Sequence, residues 1–265
     1  MSKRIGVIND LHIPFQDQRA VLLTLDVFKT IGIDELILNG DIVDFVNVSL
    51  HGPKHPDIKE TLQDEIEQTL EFLQLLRTMF PKIKITYNAG NHEFRLDRWI
   101  MQKCPSFWNL VRLERLLQLK ELDIDWNEYN CEYKVNDLNL YVQHSPPSYS
   151  VTAARASLLR KPDTSFIYAC THRRDYAILQ GRKGLYEVFM NGWLGSSYYI
   201  DHLENRFSHR AFSFTKNHEA WNKCFAIIYD FGTTHDIKQF NIYDDYSCVV
   251  EGSQFIMPPL PVKDD

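Results

Sequence analysis

Five short polar clusters in this chain carry the residue types that bind cations: Asp10-Leu11-His12, Gly40-Asp41-Ile42-Val43-Asp44, Gly90-Asn91-His92-Glu93, Gln143-His144 and Cys170-Thr171-His172. Carboxylate and amide side chains offer hard oxygens, histidine a borderline nitrogen and cysteine a soft sulfur, a mixture suited to Mn, Fe or Zn. Taken singly, an Asp after an apolar run is more often a turn residue or a helix cap. Five clusters in this order point instead to one shared centre. The chemistry would be that of two divalent cations about 3.5–4 Å apart, joined by a bridging carboxylate, sharing an activated hydroxide and clamping phosphoryl oxygens. An extended Asp-x-His backbone would turn two side chains of one parity toward one ion. The glycines before Asp41 and Asn91 would permit sharp turns and close approach.

The elements that must position these clusters follow from the apolar pattern. "RIGVIND" (4–10), "DELILNGD" (34–41) and "KIKITYNAGNHE" (82–93) each predict a buried strand that ends in polar residues. Between them, 17–32 has helical spacing stopped by Gly32, and 57–81 predicts a long amphipathic helix ended by Pro81. Strand–helix alternation predicts a parallel sheet covered by helices. Ligands of such sheets bind beyond the carboxyl ends of the strands, so the first three clusters should meet on one edge. The second half predicts antiparallel pairs: strands in 127–145 around "VNDLN", a helix end and strand in 156–170, a hairpin in 176–192 around "GRKG", and another in 224–243. The aromatic, basic segment 197–223 fits neither pattern and is expected to be an excursion from a single domain spanning 1–265.

Composition narrows the class. The chain has 265 residues, 44% of them hydrophobic and 24% charged, the balance of soluble globular proteins with a real core. A net charge of −6 gives no global attraction to nucleic acid or anionic membrane. The start, "MSKRIGVIND", lacks the apolar stretch of a secretory leader, and no apolar run is long enough to span a membrane. The five cysteines form no CxxC pair, which fits free thiols in a reducing cytoplasm. There is neither a Gly-x-Ser-x-Gly elbow nor a P-loop.

The ordered set Asp10-x-His12, Gly40-Asp41-x-x-Asp44, Gly90-Asn91-His92-Glu93, His144 and Thr171-His172-Arg173 resembles the calcineurin-like metallophosphoesterases. "NDLHIPFQD", "LNGDIVDF", "TLQDEIE" and "YNAGNHEFRLDR" look most like phage-associated members, and the resemblance covers about residues 4–250. It implies a four-layer α/β/β/α double β-sandwich and a binuclear metal site whose bridging hydroxide hydrolyses a phosphoester. By that resemblance the first metal takes Asp10, His12, Asp41 and His172. The second takes Asp41 as the bridge, Asn91, His144 and a further histidine. His92 matches the imidazole that contacts the phosphate and assists the leaving group, Asp44 the carboxylate that orients it, and Arg95 and Arg173 are candidate substrate contacts. A carboxylate partner should help His92 stay protonated.

The chain departs from the family at Cys170. Where the family has Gly-His-x-His, this sequence reads Ala169-Cys170-Thr171-His172, which puts a thiol where the second metal expects an imidazole. A shifted register, His172 first and Arg174 second, would remove a first-metal ligand. Cys170 is then either a second-metal ligand, drawing the site toward Zn or Fe, or a small filler beside a weak or empty second site. For the substrate, a phosphomonoester or phosphodiester, a nucleotide, and nucleic-acid ends are the candidates; a non-catalytic scaffold on the same fold is the alternative to an enzyme. His51, Lys54 and His55 follow Asp44 in a loop that could touch substrate, and Arg206, His209, Arg210 and Lys216 could screen a nucleic acid from the 197–223 segment.

Overall fold

Residues 2–50, 58–137, 139–150, 152–182, 184–196 and 221–261 are described by the structure, a computed structural model. His51, Lys54, His55 and the 197–220 part of the basic segment lie outside the described residues.

The first half alternates as its sequence pattern predicts over β1 (Lys3–Ile8), α1 (Gln18–Ile31), β2 (Glu35–Asn39), α2 (Leu62–Met79) and β3 (Lys84–Asn88), and α3 (Glu93–Lys103), the single turn α4 (Leu113–Leu116) and β4 (Ile124–Asn127) extend it. β1 to β4 run parallel in neighbouring positions. Asp17 caps α1 by accepting from the Ala20 N–H, and Gly32 closes it at φ 70°, a left-handed conformation that glycine enters without a Cβ penalty. α2 begins at Leu62, later than the predicted 57, because Thr61 and Asp64 form a reciprocal capping box inside the polar run.

The second half supplies β5 (Tyr133–Lys134), β6 (Leu140–Val142), α5 (Ala153–Arg160), β7 (Ser165–Tyr168), β8 (Asp175–Gln180), β9 (Leu185–Met190), β10 (Cys224–Asp230), β11 (His235–Asn241) and the hairpin β12 (Ser247–Val250)–β13 (Ser253–Ile256). The pairs β5–β6, β8–β9 and β10–β11 are antiparallel, as expected. One result differs from the expectation: β6–β7 and β7–β9 are parallel, so the second sheet, β5-β6-β7-β9-β8, has a parallel centre. β10 and β11 join the first sheet, whose order is β11-β10-β1-β2-β3-β4.

Strand parity assigns the layers. Ile5, Val7 and Ile37 of the first sheet meet Leu140, Val142, Ile167 and Phe189 of the second. On its other face the first sheet presents Ile8, Leu36, Leu38 and Ile85 to Leu25 and Phe28 of α1 and Leu73 and Leu76 of α2. The outer face of the second sheet, with Phe166, Tyr168, Val188 and Met190, packs on Ala153, Ala154 and Leu158 of α5. The result is the α/β/β/α double sandwich. At its carboxyl edge Asn39, Asn88 and Asn127 stand side by side. Asn127 donates to Asn88 at 2.8 Å, Asn88 to Asn39 at 3.3 Å, and Asn39 to the Gln143 carbonyl at 3.1 Å, linking the two sheets where the polar clusters emerge. Among the described residues no helix is long and apolar enough to cross a membrane.

Candidate metal centre

Asp10 and His12 leave β1 in left-handed backbone, φ 52° and 55°, rather than the extended conformation predicted for Asp-x-His. Asp41 (φ 51°), Cys170 (φ 65°) and His172 (φ 57°) share that region, which is costly for any residue with a Cβ. Backbone bonds hold the turns in place: Asp10 N–H to the Gly40 carbonyl at 3.0 Å, His12 N–H to the Asp41 carbonyl at 2.9 Å, and Leu194 N–H to the Asp10 carbonyl at 3.1 Å. The glycines are needed for close approach. A Cβ on Gly90 would stand 2.2 Å from Asp41 Oδ1, and one on Gly40 would stand 2.5 Å from His144 Nδ1.

The turns bring together Asp10, His12, Asp41, Asp44, Asn91, His92, His144, Cys170 and His172. Asp10, His12 and His172 form one group: His12 Nε2 lies 3.1 Å from His172 Nε2, which lies 3.3 Å from Asp10 Oδ1. Asp41, His144 and Cys170 form another, with Asp41 Oδ2 3.2 Å from His144 Nε2. Asn91 Oδ1 adjoins this group, 3.1 Å from His144 Nε2 and 3.0 Å from Cys170 Sγ. His12, Asp44 and His92 form a third group, with Asp44 Oδ2 3.2 Å from Nδ1 of each histidine. Among the described residues, Asp10 Oδ1 and Asp44 Oδ2 are buried with no hydrogen bond of good geometry, although histidine ring nitrogens stand 3.2–3.3 Å away. Buried oxygens of that kind are expensive unless a cation meets them, so the donor sets fit divalent metals.

The electrostatics agree. Burial alone would raise the Asp44 carboxyl, but His92 and the Arg95 guanidinium beside it outweigh burial and hold it well below the usual carboxylate range. Burial opposes ionisation of Asp41 as well, and the histidines around it, His144 first, drive its pKa down. Burial disfavours an imidazolium at His144, yet Asp41 and Cys170 hold its pKa well above the ordinary value. His92 differs from the expectation: burial, then the Arg95 cation, push it down to about 4, so Asp44 does not keep it protonated. The hydrogen bonds show the same state. Arg95 Nη2 lies 2.7 Å from His92 Nε2, and a guanidinium can only donate, so Nε2 accepts. Nδ1 then donates to the Asp44 carbonyl at 2.9 Å.

Arg95 therefore sits at the centre, bound to His92 and to the Asp44 carboxylate at 3.2 Å. Arg173 turns elsewhere, donating to the carbonyls of Tyr149 at 3.1 Å and Ser150 at 3.0 Å. Two supports escaped the sequence reading. Glu93, the first residue of α3, accepts from the N–H groups of Asp41 (2.9 Å), Ile42 (2.8 Å) and Gly90 (2.7 Å) and from the Tyr87 hydroxyl (2.7 Å). Its place in the Gly90–Glu93 cluster was the available signal. Trp193 stacks on His172 at 5.1 Å between ring centroids and Trp221 meets it edge-on at 4.3 Å; isolated tryptophans in sequence carry no such signal.

A buried histidine–carboxylate cluster at the carboxyl edge of an α/β/β/α sandwich defines a class of proteins able to hold metal ions. The calcineurin-like phosphoesterase family model matches residues 3–222, and the chain belongs to that family. Gene 54 protein of Mycobacterium phage L5 is 27% identical over 125 residues, 46% of this chain and 49% of that protein, so the match spans about half of its length. Among solved structures, Vps29 of Chaetomium thermophilum aligns over 99% of this chain and 100% of its own at 13% identity and a TM-score of 0.45. A dimetal phosphatase from Danio rerio aligns over 89% and 95% at 10% identity and a TM-score of 0.43.

Proposed function

We propose that this chain is a metal-dependent hydrolase of phosphomonoesters or phosphodiesters. The observation that carries this reading is the convergence of buried acceptor atoms into adjoining metal-sized groups beside His92 and Arg95. Asp10, His12, Asp41 and His172 would hold one cation, and Asp41, Asn91, His144 and Cys170 a second, with Asp41 shared. Divalent cations held there supply Lewis-acid polarisation of phosphoryl oxygens and lower the pKa of water to about 7.

Asp44 fixes the His92 ring through its carbonyl, with its carboxylate beside the same ring nitrogen. Arg95 is the long, only part-buried cation at the site, and a phosphoryl group is a stronger partner for it than a neutral imidazole. When Arg95 turns to phosphate, His92 Nε2 is uncapped and loses the cation that, after burial, most depresses its pKa. The ring can then carry a proton to the leaving oxygen.

A nucleotide or a nucleic-acid end is the substrate class supported by a cleft one indole away from His172. Trp193, Trp221, Tyr243 and Tyr246 help to line a cavity of about 440 Å³ there, and flat aromatic walls suit a base.

The test is metal content together with turnover. Protein purified without chelator should carry two metals per chain and hydrolyse aryl phosphates with Mn, Zn or Fe, and Asp41→Asn should lose both properties. The ratio of bis-aryl to mono-aryl phosphate hydrolysis separates diesterase from monoesterase. One metal or none, with no turnover under any metal, would turn the reading to a binding scaffold.

A further inference from the structure

We infer that Cys170 makes the second site a mixed thiolate–imidazole–oxygen site that selects a borderline or soft divalent cation, Zn(II), Fe(II) or Co(II), over Mn(II) and Mg(II). This rests on reading the cluster as a metal centre. It goes further in naming which cation class the second site takes and which atom decides.

The geometry carries the inference. His144 Nδ1 lies 2.7 Å from the Asn39 carbonyl, which can only accept, so Nδ1 holds a hydrogen and Nε2 is the ring's coordinating atom. Facing Nε2 are Asp41 Oδ2 at 3.2 Å and Asn91 Oδ1 at 3.1 Å. Cys170 Sγ closes the set, 3.0 Å from Asn91 Oδ1. Four atoms that can each offer a lone pair to a cation thus converge, and His144 and Asp41 are each 1% exposed. A divalent cation there would displace the hydrogens of the thiol and of Nε2.

The surroundings of the sulfur exclude a mere filler. Its neighbours include an amide oxygen, an imidazole and a carboxylate. The backbone is pinned to point it there: Cys170 N–H donates to Asp10 Oδ2 at 3.0 Å, and Ala169 N–H to the His144 carbonyl at 2.9 Å. Thiolate sulfur favours Zn, Fe and Co, whereas Mn and Mg favour oxygen and nitrogen. The sulfur therefore divides the two sites by cation class. Asp10, His12, Asp41 and His172 stay tolerant of hard ions, and the Cys170 side does not.

Cobalt titration of metal-free protein reads the sulfur directly. Two equivalents of Co(II) should bind, and one of them should raise a thiolate-to-cobalt charge-transfer band in the near ultraviolet. Cys170→Ser should abolish the band, and Cys131→Ser, at a half-exposed thiol outside the cluster, should keep it. Cys170→His should bind two cobalt ions without the band and lower the preference of the second site for Zn over Mn by at least roughly tenfold in a competition measured by metal analysis. Circular dichroism of the histidine variant checks that it folds. Two bound cobalt ions with no band, or an unchanged Zn-over-Mn ratio in the folded histidine variant, would overturn the inference and leave the phosphoesterase reading intact. Failure to bind cobalt at all would instead overturn the metal centre itself.

Discussion

His92 touches Asp44, Arg95 and His12 without belonging to either of the two donor groups assigned to cations. His92→Ala should therefore lower turnover about 10²–10⁴-fold, the range of a positioned proton donor, while metal content by elemental analysis stays the same. Loss of metal along with activity would make the ring a structural support instead. Arg95 is argued to act on the same ring. Burial is the larger cause of the depressed His92 pKa and Arg95 the second, so Arg95→Ala should let that pKa climb part of the way from about 4 toward its ordinary value. The limb of the pH–rate profile that needs imidazolium should then move to higher pH even as KM rises. An unmoved limb would confine Arg95 to contact with phosphate. At this scale the donor types were legible in the sequence: each cluster stands at the end of an apolar run. Their backbone was not. Left-handed φ at Asp10, His12 and Asp41 goes with the bonds Asp10–Gly40, His12–Asp41 and Leu194–Asp10, whose partners lie 29 or more residues apart in the chain, and no local pattern records them.

One residue of α3 holds two strand ends to each other. Glu93 gathers N–H groups from the turns after β2 and β3, so Glu93→Ala would leave several buried donors without an acceptor. Each orphaned donor costs about 1–3 kcal/mol, and a loss of about 3–5 kcal/mol is expected in urea unfolding, with Glu93→Gln less severe. Gly90→Ala should act on the same joint through a clash with Asp41 and abolish metal binding before it abolishes folding. Elements were legible where the signal is local. The Asp17 and Gly32 caps of α1 and the hairpins β8–β9 and β10–β11 are written in consecutive residues. Sheet membership is not. "CFAIIYD" is buried on both faces and would look the same in either sheet, and the parallel β6-β7-β9 centre depends on crossovers rather than on neighbouring residues. β4 escaped because "IDWN" is short and half polar, although it completes the asparagine row.

Stability of the whole molecule should respond to one carboxyl outside the centre. Glu65 of α2 is fully buried, accepts from Val46 N–H at 2.8 Å and Asn47 Nδ2 at 2.9 Å, and so anchors the turn that follows Asp44. Burial raises its pKa to about 7 from an ordinary 4.5. The folded state therefore holds its proton longer than the unfolded chain does. Its contribution is complete below about pH 4.5, declines as pH rises to about 7, and is flat above that. The decline amounts to at most about 3 kcal/mol, and Glu65→Gln should remove that part of the pH slope in urea unfolding. A second consequence belongs to the order in which the chain is made. β1, with Asp10 and His12 at its end, lies between β2 and β10, and its register with β10 joins Lys3 to Asp230 and Val7 to Ala226. A strand made before either of its neighbours is thus closed only once β10 has been made. Until residue 230 is synthesised it has one open edge, the kind of edge that recruits stray strands. A chain stopped at Asn222, where the family match ends, keeps every donor assigned to the metals but should be recovered in the insoluble fraction; its recovery as folded monomer would show that the amino-terminal sheet matures without waiting for its last neighbour.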